Sequence, residues 1–201
     1  MEKRRDFKDW ENYYRTEKVE AMAWYHPSLD HDFERALLEM DIHTGAVLDL
    51  GTGPGTQAVV LAEWGFNVTA TDISETAVGE ARGRAKRRGL EVECRQDDIR
   101  HTKLKGPFDI VFDRGCFHVM QPEEREGYVK TVAGLVRPGG YLFLKCFSVE
   151  ETMEEGPYRF TPEEIRAVFG TSFNILSIRK SEFHGTLETF PKALFSVLRK
   201  P

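Results

Sequence analysis

The stretch AVLDLGTGPGTQ, residues 46–57, constrains the fold of this chain more than any other feature. Residues 46–50 are apolar apart from one acid and predict a buried strand, which runs into Gly51, Gly53 and Gly55 before a helical pattern begins. Glycine lets the backbone turn sharply and approach a ligand closely, and the helix that follows aims its first N–H groups at that ligand. The sequence therefore predicts a strand, a glycine turn and a helix that together bind a small molecule.

Two acids near this turn narrow the choice of ligand. Asp49 lies at the end of the first strand, and Asp72 follows a second strand-like run, FNVTAT. An acid placed as Asp72 is can accept hydrogen bonds from both hydroxyls of a ribose, as in dinucleotide-binding folds. A dinucleotide would put a pyrophosphate dianion on the turn, where Asp49 would repel it. The charges favour a nucleoside without phosphate.

The segments VLDLGTGPGT at 47–56 and VTATDIS at 68–74 resemble the class I S-adenosylmethionine-dependent methyltransferases. Their GxGxG spacing departs from the GxGxxG of the nicotinamide and flavin fingerprint. S-adenosylmethionine carries an ammonium and a sulfonium, which suit nearby carboxylates, and one carboxylate, which suits the positive end of the helix opened by Gly55. The resemblance implies S-adenosyl-L-methionine as cofactor and S-adenosyl-L-homocysteine as product, with no metal.

The same resemblance implies an adenine site after the third strand, VECRQ. In the family, the acid just past this strand accepts from the adenine amino group and the next residue packs on the ring, which points to Asp98 and Ile99. Asp97 is the alternative acid, and Ile73 is the expected second adenine contact. The predicted cofactor-binding residues of the core are Asp49, Gly51, Thr52, Gly53, Gly55, Asp72, Ile73, Asp97, Asp98, Ile99 and Asp113.

The fourth predicted strand, FDIVFD at 108–113, is followed by RGCFHVM. Its carboxyl end lies at the switch point of a doubly wound sheet, where ligands bind, so the catalytic candidates are Arg114 and His118. Arg114 could hold the cofactor carboxylate or an anionic substrate, and His118 could act as a base or simply pack in the core. Cys116 is expected to be buried. Enzymes that methylate amino groups of bases show an acid or Asn, then Pro, Pro and an aromatic residue here, and DRGC departs from that pattern.

Residues 1–40 predict a helical lid that precedes the methyltransferase domain of residues 41–201. Pro27 ends any first helix, and Ser28 or Asp30 can cap a second one. Aromatic side chains in such a segment can cover a nucleoside and exclude water, although packing on the sheet is the alternative and is preferred for Phe7 and Phe33. The residues interpreted as the lid are Trp10, Tyr14, Trp24 and Tyr25.

The remaining pattern predicts the rest of the sheet. FNILSIRK and ALFSVLRK are joined by a short connection around Gly185, which favours an antiparallel hairpin. The predicted fold is α/β: a Rossmann-like, doubly wound and mostly parallel seven-stranded sheet with a C-terminal antiparallel hairpin and an N-terminal helical lid.

The composition of the chain indicates which partners it can bind and in which cellular compartment it is expected. The 201 residues contain 28 Lys and Arg against 33 Asp and Glu, and a net charge of −5 argues against nucleic acid as the main partner. The absence of a secretory or spanning stretch predicts a cytoplasmic protein without a membrane partner. Cys94, Cys116 and Cys146 are too far apart for a metal or disulfide framework. We expect a monomer or homodimer.

WENYYR, DRGCFHVM and KCFSVEE are most similar to small methyltransferases related to thiopurine, thiol, halide and tellurite methyltransferases. That resemblance implies a small-molecule acceptor with a polarizable nucleophile. A thiol, with a pKa near ~8.5, is already partly ionised and needs little help from a base, so a thiol is the first choice. The alternatives are an amine, with Glu150 or Glu151 as cation partner, a carbon acceptor, or a non-catalytic domain that binds the cofactor as a sensor or partner subunit.

Overall fold

The computed structural model describes residues 9–201, so the predicted packing of Phe7 lies outside the described residues. One sheet runs through the molecule in the order β3-β2-β1-β4-β5-β8-β7, with β6 paired to β5. The strands are β1 Ala46–Leu50, β2 Asn67–Asp72, β3 Glu93–Gln96, β4 Phe108–Arg114, β5 Val136–Ser148, β6 Arg159–Phe160, β7 Asn174–Glu182 and β8 Lys192–Arg199. Strands β1 to β5 pair in parallel, whereas β8 is antiparallel to both β5 and β7. The predicted Rossmann-like fold and its terminal hairpin are confirmed.

Six α-helices within residues 9–201 flank the sheet, and side chains cap the N-termini of four of them. Asp30 accepts from the Asp32 amide and Ser74 accepts from the Ala77 amide, while Thr161 forms a capping box with Glu164. The helices are α1 Trp10–Thr16, α2 His31–Glu39, α3 Thr56–Glu63, α4 Glu75–Arg87, α5 Arg125–Leu135 and α6 Pro162–Phe169.

The sheet buries a hydrophobic layer on each face. One layer joins β4 and β5 to α5 and α6 and includes Cys146, which is fully buried. The other joins the sheet to α2 and α3, where Phe33 stacks on Phe112 with ring centroids 4.0 Å apart. These two layers hold the strand ends rigidly, so the carboxyl ends of β1, β2 and β4 meet at one edge of the sheet.

The sequence did not predict β6. The chain beyond residue 158 makes a two-residue strand that pairs with Phe147 and Ser148. Two residues carry no periodic pattern, so this strand has no sequence signature.

Candidate active site

The glycine turn is tied to α4 through Asp72. One carboxylate oxygen of Asp72 accepts from the Gly53 amide at 2.9 Å, and the other accepts from the Ser74 amide at 3.0 Å. Burial raises the pKa of Asp72, while these two amides lower it. Each oxygen of a carboxylate can accept more than one hydrogen bond, so both oxygens can still receive a ribose hydroxyl.

Asp49 binds the glycine turn through the side chain of Thr52. Its carboxylate is 2 % exposed and accepts from the Thr52 hydroxyl at 2.6 Å. Burial raises the pKa of Asp49 to about 6, and the nearby Asp72 adds to the rise. Two buried acids beside one turn disfavour a phosphorylated ligand, because like charges repel.

The aromatic residues of the entry segment lie over this turn. The Tyr14 hydroxyl is 2.7 Å from the point where a Cβ on Gly53 would stand. Trp24 packs against Trp10 and Tyr14 with ring centroids 5.6 Å and 6.5 Å away, and the group rests on Ala77 of α4. The structure therefore brings the predicted lid residues beside the predicted cofactor residues. That they cover a bound nucleoside stays a prediction.

At the predicted adenine end, the structure favours one apolar contact over the other. Ile73 is 40 % exposed next to Asp72, whereas Ile99 is 5 % exposed and packs in the core beside α5. Ile73 is thus open to a flat ring. Ile99 is part of the hydrophobic core, so the geometry does not support its predicted packing on the adenine ring.

The two candidate adenine acids also differ. Arg100 binds the Asp98 carboxylate through Nε and Nη2, at 2.9 Å and 2.8 Å, and this pairing lowers the pKa of Asp98. Asp97 receives only the Lys103 amide, at 3.2 Å, among the hydrogen bonds of residues 9–201. The carboxylate of Asp98 is therefore paired with Arg100, whereas Asp97 keeps one carboxylate oxygen that could accept from an adenine amino group.

Asp113 organises the turn after β4. Its carboxylate is fully buried and accepts from the amides of Gly115, Cys116 and Phe117 at 2.7 to 2.9 Å, and from the Tyr128 hydroxyl. With four donors and no exposed surface, the carboxylate cannot also reach a ligand. The geometry does not support the predicted cofactor contact of Asp113 and makes it a residue that shapes the turn.

The guanidinium of Arg114 is likewise occupied by hydrogen bonds within the protein. Its Nε donates to Asp30 at 2.9 Å, and its two Nη atoms donate to the carbonyls of Trp24 at 3.1 Å and His184 at 2.6 Å. These bonds use the guanidinium to join β4, the entry segment and the β7–β8 connection. Arg114 therefore holds the entry segment against β4, and the predicted direct roles in catalysis or carboxylate binding are not supported.

His118 is a neutral imidazole. It is 6 % exposed, and its Nδ1 accepts from the Phe147 amide at 3.3 Å, which places the ring proton on Nε2. Burial, with a contribution from Arg114, lowers the pKa of His118 to about 3. An imidazole whose free nitrogen carries a proton cannot accept another, so the geometry does not support the predicted role as a base.

Comparison with known proteins decides the family. Residues 47–140 match the family model for a methyltransferase domain. An uncharacterized methyltransferase from Schizosaccharomyces pombe is 35% identical over 103 residues, which cover 51% of this chain and 71% of that protein. The chain belongs to the methyltransferase domain family. The predicted enzyme class and the predicted cofactor, S-adenosyl-L-methionine, are confirmed.

Two further proteins are similar to this chain over at least 90% of its length. The 2-heptyl-1-hydroxyquinolin-4(1H)-one methyltransferase of Mycobacteroides abscessus is 28% identical over 189 residues, covering 90% of this chain and 83% of that protein. A solved structure concerned with the conversion of a disulfide bond into a thioacetal group during echinomycin biosynthesis superposes with a TM-score of 0.82. It is 25% identical, and the match covers 95% of this chain and 90% of that one. None of the helices within residues 9–201 has the length and apolar character needed to cross a bilayer.

The steric demand at the turn gives a testable expectation. Gly53→Ala would place a methyl group 2.7 Å from the Tyr14 hydroxyl, at a backbone φ of 53°. We expect this methyltransferase variant to bind S-adenosyl-L-homocysteine about tenfold more weakly, a change of ~1.4 kcal/mol, because Tyr14 must move away from the turn.

Gly65→Ala is the matched control. Its φ of 91° also makes a side chain unfavourable for the backbone, and nothing lies within 4 Å of the added methyl. Both variants should lose stability, and only Gly53→Ala should lose affinity in calorimetry. Equal affinities in the two variants would contradict the placement of Tyr14.

A buried charge cluster was missed by sequence analysis. Lys145 of β5 is 0 % exposed, and its Nζ lies 2.8 Å from Asp30 and 2.9 Å from Asp32 at the start of α2. Although burial opposes ionisation, Lys145 and Arg114 hold the pKa of Asp30 at about 2. The cluster links β4, β5 and the entry segment directly behind the lid. A lysine inside the apolar run YLFLKCF was the only sequence signal for it.

Proposed function

We propose that this methyltransferase acts on a small molecule whose acceptor atom ionises by itself, first of all a thiol. The proposal rests on the hydrogen bonding of the acid and the histidine that follow β4, where the acceptor is predicted to bind. Asp113 already accepts four hydrogen bonds, and His118 is neutral with its basic nitrogen occupied. Neither residue can take a proton from an alcohol.

Methyl transfer from a sulfonium is a displacement at carbon, for which S-adenosylmethionine supplies the electrophilic methyl group. The protein contributes alignment and exclusion of water, which can be worth up to ~7–11 kcal/mol. A thiol with a pKa near ~8.5 brings its own anion to this arrangement. We infer that Asp72, Ile73 and Asp97 hold the adenosine, and that Tyr14 and Trp24 close over it.

Two of the similar proteins are consistent with an acceptor of this kind. The Mycobacteroides abscessus enzyme is named for a quinolone with a hydroxyl on its ring nitrogen, a group more acidic than an ordinary alcohol. The structure from echinomycin biosynthesis concerns the conversion of a disulfide into a thioacetal, which is sulfur chemistry. The finer likeness to thiopurine- and tellurite-related methyltransferases is part of this proposal.

An amine acceptor ranks second because its predicted cation partners are occupied. The Glu151 carboxylate accepts from the amides of Thr152, Met153 and Lys192 at 2.6 to 2.7 Å, and Glu150 pairs with Lys180. Glu151 therefore pins the loop after β5 to the start of β8 and does not offer a carboxylate to an ammonium.

The pH dependence of the reaction tests the proposal. We expect kcat/KM to rise with pH for each thiol and to level off near the pKa of that thiol, because the acceptor supplies the ionisation. Two thiols whose pKa values differ by one unit should give profiles displaced by one unit. A single midpoint shared by both thiols would show that a group on the protein removes the proton.

A further inference from the structure

Helix α1 supplies a cap to a different helix. The carboxylate of Glu11 accepts from the Ser74 hydroxyl at 2.7 Å, from the Thr76 amide at 3.1 Å and from the Thr76 hydroxyl at 2.5 Å. The first N–H groups of a helix lack partners within it, and a negative charge is favoured at that end. Glu11 therefore completes the N-terminus of α4, although more than sixty residues separate the two segments.

The three hydrogen bonds specify an ionised carboxylate. Those from Thr76 and Ser74 lower the pKa of Glu11 to about 2, from an ordinary value of 4.5. Because the carboxylate stays charged above pH 5, the contact persists throughout the physiological range. The two hydroxyls fix where the carboxylate sits on α4.

This contact lies beside the predicted ribose acid. Ser74, which donates its hydroxyl to Glu11, donates its amide to Asp72. Tyr14 follows Glu11 by about one helical turn and reaches Gly53, which also donates to Asp72. Glu11 thus bonds to Ser74, and Tyr14 lies beside Gly53. Ser74 and Gly53 are the residues whose amides bind the Asp72 carboxylate.

We propose that Glu11 is a positioning residue for the cofactor: it docks α1 on α4 and so places Trp10 and Tyr14 over the glycine turn. Glu11 acts through these side chains and does not touch the cofactor itself. The inference rests on the predicted cofactor role of Asp72 and is independent of the identity of the acceptor.

The test is calorimetry with S-adenosyl-L-homocysteine on the whole chain, without any acceptor. Glu11→Ala is expected to raise Kd by about five- to twentyfold, since hydrogen bonds to a charged group are lost and the lid is no longer held. Glu11→Gln keeps one acceptor oxygen and should lie between wild type and Glu11→Ala. Glu17→Ala, at the exposed end of the same helix, is the control and should bind as wild type does.

A double-mutant cycle separates docking from a general loss of structure. Thr76→Val removes the hydroxyl that donates to Glu11. Added to Glu11→Ala, Thr76→Val should raise Kd little further, because the two side chains act through the same contact. Thermal unfolding of each variant shows whether it is folded. Fully additive effects of the two changes, or a wild-type Kd in folded Glu11→Ala, would overturn the proposal. A wild-type Kd in Asp72→Ala would instead refute the ribose assignment.

Discussion

Asp72→Ala is expected to weaken S-adenosyl-L-homocysteine binding by about ten- to hundredfold. The variant loses a carboxylate that can accept from both ribose hydroxyls, and hydrogen bonds to a charged group are worth ~1.5–3 kcal/mol. It also frees the amides of Gly53 and Ser74, which the carboxylate holds 2.9 Å and 3.0 Å away. Titration calorimetry with the demethylated cofactor measures the change.

Two variants make this result specific. Asp72→Asn retains the size and one acceptor oxygen, so its affinity should fall between those of wild type and Asp72→Ala. Asp109→Asn changes an acid near the start of β4, where it bonds the Ala46 amide and Arg137, and should leave the affinity unchanged. A loss below twofold in Asp72→Ala would remove Asp72 from the cofactor site.

Lys145→Met should produce the largest loss of stability. Lys145 is the only cation that contacts both Asp30 and Asp32 in the described part of the chain, and without it each carboxylate keeps a single cationic partner. Breaking a buried ion pair by removing one partner typically costs about 3–5 kcal/mol. For a protein of this size the loss corresponds to a fall in Tm of roughly 6–20 °C. Urea unfolding followed by circular dichroism measures the free energy of unfolding.

The double variant Asp32→Asn/Lys145→Met is the matched comparison. It removes one charge of each sign and leaves Arg114 paired with Asp30 at 2.9 Å, so it should recover part of the lost stability. A double variant less stable than Lys145→Met would contradict the charge-balance explanation.

The same charge cluster predicts that stability depends on pH. The folded pKa of Asp30, about 2, lies below its ordinary value of 3.8, so the contribution of Asp30 to stability is complete above pH 4 and is lost as the pH falls toward 2.

The sequence predicted the features that depend on local signals. The bounds of β1, the glycine turn after it and Asp30 as a candidate cap of the second helix all agree with the structure. In each case the residues that create the structure are neighbours in the chain, so steric preference and hydrogen-bonding capacity can be read directly from their order.

The roles of individual polar side chains at the strand ends were harder to predict. Asp72 and Asp113 both follow apolar strands and both accept from backbone amides, yet two donors bind Asp72 whereas four surround Asp113. Arg114 finds its partner Asp30 at a separation of 84 residues, and Lys145 finds the same acid at a separation of 115. A carboxylate that faces a ligand and one that faces its own backbone look alike in sequence, because only the folded sheet decides which donors surround them.

The most direct test of the proposed chemistry compares acceptors that differ in one atom. A matched series of a thiophenol, the corresponding phenol and the corresponding aniline would be incubated with the protein and methyl-labelled S-adenosyl-L-methionine. We predict label in the aryl methyl sulfide, at a rate that follows the ionised fraction of the thiol, and far less in the other two products. Preferential labelling of the aniline or the phenol, with the thiol left unmethylated, would contradict a self-ionising sulfur acceptor.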